Sequence, residues 1–419
     1  MKKRMQSQKR DPAEAKTVKQ KTPENTTGMD LNGYFDAVSL KRPEFGYLEG
    51  SETFSHHISV HTPDQPIREL DRHRVAIIGV PSDAAAFVKG SAEAPDQIRS
   101  KLYQLRKINR NLPIYDLGNI KNGGSVQDTY YALRDILLEL QDRDMISVIL
   151  GGSQDLSRGV FLALEKRAGI HQVMTVDSML DFSEDEEEIH SHNYLNLLLK
   201  TSLPQKFSYT NLGHQAYFVT EKQLEMLERS YLESIRLGEA RASIQQTEPL
   251  IRDCEFIGID MGAVRHADAP AACIPSPNGF SGEELCQITR YAGLSEQVRI
   301  LGLFEFSPAS DVNGQTSHLA AQSIWYFLEG ISQRIRESPV NTPEHIKKFI
   351  VNLNAAGHDI VFHKSTLSDR WWMEVPVKNP LTGHNFFVSC SYEDYQHACN
   401  QEIPDRWWRY LHLLGNETE

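Results

Sequence analysis

Two aspartates four residues apart close the stretch VMTVDSMLDF, residues 173–182. Val173, Met174 and Val176 predict a buried strand, so Asp177 and Asp181 fall at its carboxyl end. A second apolar run, CEFIGIDMGAV (254–264), ends in the same way on Asp260. Carboxylates at strand ends are oxygen donors suited to a hard divalent cation. Without a cation they form a cluster of like charge, which raises at least one carboxyl pKa and shares protons. The residue placed between the first two aspartates is Met179, whose thioether suits soft ions. The stretch therefore reads either as a metal site or as the remains of one.

Such carboxylates need elements that hold strand ends side by side. HRVAIIGVPSD (73–83) carries a compact apolar run, Val75 to Val80, that runs into a loop. APDQIRSKLYQL follows with helical spacing, and Pro95 suits a first helical turn. LPIYDLGNI (112–120) predicts a strand, DTYYALRDILLELQDR an amphipathic helix, and MISVILGGSQDLS (145–157) a central strand ending in glycines. VFLALEKR is helical and FSYTNLGHQ extended, while TEKQLEMLERSYLESIRLGEARASIQQTEPLI reads as one long helical stretch broken once. SGEELCQITRYAG carries a Ser281/Glu284 capping box. RILGLFEFSP is a strand and SHLAAQSIWYFLEGISQRI a helix. Repeated strand–helix units predict a parallel sheet covered on both faces, with ligands at the carboxyl strand ends.

Four segments follow from this reading: a disordered polar tail (1–30), a lead-in (31–69), an α/β domain (70–338) and a C-terminal extension (339–419). The tail has basic residues without an apolar core behind them, so it is not a secretory signal; its sharper reading is a basic arm for an acidic partner. In the extension, tryptophans, prolines and short β-like stretches replace the strand–helix alternation, and DRWW occurs at Asp369 and again at Asp405. A net charge of -12 argues against nucleic acid. No apolar run is long enough to span a membrane. Five scattered cysteines without a CxxC pair fit a reducing cytoplasm.

LGGSQDLS, TVDSMLDF and GIDMGAV, together with IIGVPSD…GSAEAPDQIR, IYDLGNI and EFSPASDVNGQTSHLAA, resemble the ureohydrolase superfamily of arginases, agmatinases and formimidoylglutamases. The resemblance covers roughly residues 70–335, in order. It is greatest to the formimidoylglutamase subgroup, through GHQAYFVTEKQLEML…LIRDCEFIGIDMGAVRHADAPA and the RWWMEVP and SYEDYQ…IPDRWW stretches. It implies a three-layer α/β/α arginase-like fold with a parallel central sheet. It also implies two manganese ions held by two histidines and four aspartates. At those six positions this chain keeps Asp177, Asp181 and Asp260, and has Gln154 and Met179 in place of the histidines and Gly262 in place of an aspartate. Glu305 matches the glutamate that contacts the substrate's cationic end. His192, or else His190, stands where the family places a histidine after the second motif. A site rebuilt from Asp155, His192, His266 or Asp268 is a further reading. An acidic run, Glu184 to Glu188, replaces the arginase substrate loop and reads as a solvated loop or as a surface for a basic partner.

Loss of three ligands, both imidazoles among them, leads to the expectation of a catalytically disabled homologue, a pseudoenzyme acting through an unknown protein partner or a small ligand. No cofactor is then expected beyond a weakly held single Mg²⁺ or Mn²⁺. The alternative is an active metal-dependent C–N hydrolase cleaving N-formimino-glutamate to glutamate and formamide; a third reading is a structural subunit of a larger assembly. The resemblance further implies a homo-oligomer, whose contacts the extension could block or replace.

Overall fold

The computed structural model describes residues 29–39, 48, 50–109, 111–183, 188–196, 198, 207–230, 232–353, 358–378 and 383–415. The N-terminal tail through residue 28 and the acidic residues 184–187 lie outside them. Two short strands, β1 (Phe35–Asp36) and β2 (Ser59–Val60), come first. The alternating part then runs β3 (Val75–Gly79), α1 (Ala94–Leu102), β4 (Ile114–Ile120), α2 (Val126–Asp142), β5 (Ile146–Leu150), α3 (Ser157–Glu165), β6 (His171–Val176), β7 (Phe207–His214), α4 (Glu221–Arg229) and β8 (Glu233–Arg236). It continues through α5 (Leu237–Ala242), α6 (Thr247–Arg252), β9 (Phe256–Asp260), α7 (Gly282–Leu294), β10 (Ile300–Phe304) and α8 (Gln315–Ser332).

These strands make a ten-stranded sheet in the order β1-β4-β3-β5-β10-β9-β6-β7-β8, with β2 also on β4. All pairs are parallel except β1 on β4. β3, β5, β9 and β10 are buried along their whole length, as a sheet covered on both faces requires. The fold is the expected three-layer α/β/α arrangement. Ser281 and Glu284 form the capping box of α7, and Pro95 stands in the first turn of α1. The long helical stretch expected over 220–251 is instead interrupted by a strand. Residues 233–236 pair with β7 and Ile235 packs against the core, so a free sheet edge outweighs local helix preference. No described helix is long and apolar enough to cross a membrane.

The extension folds as a four-stranded antiparallel meander, β11 (Ile346–Leu353), β12 (His358–Ser365), β13 (Trp371–Lys378) and β14 (Asn385–Cys390), followed by α9 (Tyr392–Cys399) and α10 (Asp405–Gly415). Trp371, Met373, Val388, Trp407 and Tyr410 form its core. The two DRWW copies are not a structural repeat: the first turns into β13 and the second starts α10. Arg406 pairs with Asp253 at 3.1 Å, and Ser389 N donates to the same carboxylate. Arg409 meets Glu233 at 2.7 Å. Asp253 precedes β9, Glu233 opens β8 and Ile170, just ahead of β6, packs on the extension. The extension thus docks at the amino ends of the strands, away from the aspartates at their carboxyl ends.

Candidate active site

β5, β6, β9 and β10 are neighbours in the middle of the sheet, and five functional candidates leave their carboxyl ends together. β5 ends in Gly151 and Gly152, both with positive φ. A Cβ on Gly152 would stand 2.6 Å from Ser82 O and 2.7 Å from Val80 O, so only glycine passes there. That turn delivers Gln154. β6 delivers Asp177 and Asp181, β9 delivers Asp260, and Glu305 follows β10 with a φ of 61°.

All four acids are at most 6 % exposed. Asp177 accepts from Met179 N at 2.9 Å, and Asp260 accepts from Gly262 N at 2.5 Å. Glu305 Oε1 accepts from Gln154 N at 2.8 Å. Gln154 Nε2 donates to Tyr194 Oη at 3.0 Å. Three buried oxygens have no hydrogen-bond partner: Gln154 Oε1, Asp181 Oδ2 and Glu305 Oε2.

Burial raises the carboxyl pKa of Asp177. Burial raises Asp181 further, and the charges of Asp177, Asp260 and Glu305 add to it. Asp260 is raised by burial, then by Asp177 and Glu305. Glu305 is raised by burial and by Asp155, eased by the Gln154 amide and by nearby Ser191 and Cys273. The four acids therefore feel one another, and a divalent cation would relieve the repulsion.

The remaining candidates separate from this group. Asp155 turns to Tyr130 Oη and Ser153 Oγ, both at 2.5 Å. Asp268 accepts from Gly282 N and pairs with Arg265, so it belongs to the start of α7. His266 is exposed. Met179 is half-buried, and its carbonyl accepts from Asn211. His192 stacks on Phe87 at 4.5 Å, and its backbone amide donates to His190 Nδ1. The loop carrying Phe87 is clasped to this rim by Ser191 N to Ala85 O and Phe87 N to Ser191 Oγ. Tyr194, Ser191 and Cys273 were not read as site residues in the sequence: no motif or spacing marks them, because they reach the site from two loops, 188–196 and the one carrying Cys273, outside the strand ends.

The arginase family matches residues 73–329 of the sequence. The chain belongs to the arginase family. It is 23 % identical over 273 residues to the formimidoylglutamase of Hahella chejuensis, which covers 59 % of this chain and 82 % of that protein. With the Bacillus subtilis formimidoylglutamase it shares 25 % over 283 residues, 61 % of this chain and 86 % of the other. In three dimensions it resembles the B. subtilis formimidoylglutamase, with a TM-score of 0.60 at 18 % identity over 70 % of this chain and 97 % of that one. The Trypanosoma cruzi formiminoglutamase with Mn²⁺₂ matches with a TM-score of 0.59 at 20 % identity, over 64 % and 97 % of the two chains.

The expectation of no cofactor is corrected by this finding, since the T. cruzi relative is solved with two manganese ions. That expectation gave too much weight to the missing imidazoles and too little to the oxygens that remain. Among the described residues no three or more His, Cys, Asp or Glu side chains form a ready ligand cage. The donor chemistry nevertheless fits a hard cation: three buried carboxylates, a fourth acid beside them, and unpartnered oxygens on Gln154, Asp181 and Glu305.

Proposed function

We propose that this chain is a metal-dependent hydrolase of linear amidines, of the formimidoylglutamase type. The observation that carries the reading is the gathering of buried Asp177, Asp181 and Asp260 at adjacent strand ends, with Asp181 Oδ2 and the neighbouring Gln154 Oε1 and Glu305 Oε2 left without a hydrogen-bond partner. These aspartates, with Gln154 Oε1, would hold manganese. When bound, the metal lowers the pKa of water and so supplies a nucleophile at neutral pH. In the overall reaction the water oxygen ends on formamide, the bond from the formimino carbon to the glutamate nitrogen breaks, and that nitrogen leaves as the amine. Glu305 is assigned to the cationic end of the substrate. His192, on the rim beside Phe87, is assigned to give the leaving nitrogen its proton.

A second reading, a homologue that binds without turnover, is favoured by Gln154, Met179 and Gly262 at the three altered positions. One experiment separates the two. Protein loaded with Mn²⁺ and desalted is analysed for bound metal and assayed for formamide release from N-formimino-glutamate. The first reading expects retained manganese and turnover that disappears in Asp177→Ala. Retained manganese with background turnover favours the second; failure to retain manganese overturns the first.

A further inference from the structure

The Tyr194 side chain is wholly buried. Phe161 of α3 stacks on its ring at 6.1 Å, and the amide of the next residue, Leu195, donates to Asp181 O at 3.1 Å. These contacts hold the phenol beside the aspartates. Burial raises its pKa, and the charges of Asp181, Tyr209 and Asp177 add to the rise. The hydroxyl accepts from Gln154 Nε2 at 3.0 Å. Nε2 lies 3.7 Å from the point where a Cβ on Gly258 would stand, and Gly258 shares a face of β9 with Asp260. The amide nitrogen is thus committed to the phenol. Oε1, on the other side of the same carbon, has no hydrogen-bond partner.

A carboxamide carries two donors on one side and an acceptor on the other, so turning it over exchanges them. With Nε2 on Tyr194, the acceptor is left free. Turned over, Gln154 would bring N–H donors to the place of that oxygen, where they would satisfy a carboxylate and compete with a cation. A buried amide oxygen without a donor is costly, and a hard cation removes the cost because amide oxygens are among its ordinary ligands. We propose that Tyr194 is a positioning residue that fixes the sense of the Gln154 amide, so that Oε1 faces the metal position as a ligand. The inference rests on the manganese-binding reading and goes beyond it by naming the group that makes a glutamine usable there. Tyr194 itself acts only through Gln154.

The test is Mn²⁺ calorimetry on the full-length protein as wild type, Tyr194→Phe, Gln154→Met and the double variant. Phenylalanine keeps the ring and its stack and removes only the acceptor. Tyr194→Phe should weaken Mn²⁺ binding about 10-fold or more, the range for a partner that orients a ligand. Gln154→Met should weaken it at least as much, since a thioether gives a hard cation little. Adding Tyr194→Phe to Gln154→Met should then cost nothing further. Wild-type affinity in Tyr194→Phe, or an equal further loss in the Gln154→Met background, overturns the proposal alone. A wild-type protein that binds no Mn²⁺ overturns the manganese reading and the proposal with it. A second readout needs no metal. In protein labelled with ¹⁵N-glutamine, the Gln154 side-chain amide resonance, assigned by its loss in Gln154→Met, should move in Tyr194→Phe. An unmoved resonance also overturns the proposal.

Discussion

Gln154, Met179 and Gly262 differ in what they do at the strand ends. Gln154 is integrated: its amide N–H groups reach Glu305 and Tyr194, and only its oxygen is left over. Met179 is half-buried and contributes a thioether that a hard cation does not seek. Gly262 has no positive φ, so its backbone does not demand glycine. A Cβ there would still meet Asp260 Oδ1 at 2.9 Å and Ile274 O at 3.2 Å, so a side chain needs the loop to shift. The double change Gln154→His, Met179→His is expected to raise Mn²⁺ affinity at least ~10-fold by calorimetry, on the scale of ligand-environment effects. Adding Gly262→Asp should lower the melting temperature of the metal-free protein. Unchanged affinity in the double variant would show that the two side chains do not converge on the aspartates.

The central strands are also tied at their other ends. Asp144, between α2 and β5, has a φ of 57° and accepts from Arg74, just before β3, and Arg299, just before β10. One carboxylate thereby bridges three neighbouring strands. Burial works against its charge, but the hydrogen bonds from Arg74 and Arg299 outweigh this and hold its pKa below the usual 3.8. Its stabilisation is therefore present above the unfolded value and lost as pH falls through the lower folded one. Asp144→Asn keeps the tolerance for positive φ and removes the charge. It should cost about 0.5 kcal/mol at pH 7, a small figure because the carboxylate is mostly exposed. The gap from wild type should close as the pH falls below the usual 3.8 and through the lower folded value; a pH-independent gap in thermal melts would assign the effect to geometry instead.

At the scale of the molecule, the extension and the carboxylate site occupy opposite poles of one sheet. The extension therefore leaves the site uncovered, and its packing bears on stability. Trp407 anchors it: the ring is 3 % exposed and Nε1 donates to Glu374 O at 2.9 Å. Trp407→Ala should cost ~3–5 kcal/mol in urea unfolding, the range for a large aromatic removed from a core. A loss under about 1 kcal/mol would mean that the extension is loosely held.

The sequence by itself determined the α/β class, the strand ends and three of the carboxylates. Apolar runs closed by glycine or aspartate are local signals, and a parallel sheet buries its strands so completely that the runs stand out. The family resemblance was legible for the same reason, since its motifs sit at those strand ends. Only the tertiary structure decided the rest. β8 lay hidden inside a helical pattern, because its pairing partner is supplied by β7 rather than by its neighbours in sequence. The same DRWW tetrapeptide became a strand in one place and a helix in another. Tyr194 reaches Gln154 across 40 residues, and Arg252 reaches the carbonyl of Trp371 across 119. The donor set at the strand ends depends on which oxygens are left unpartnered, a property of packing between distant segments that no local pattern encodes.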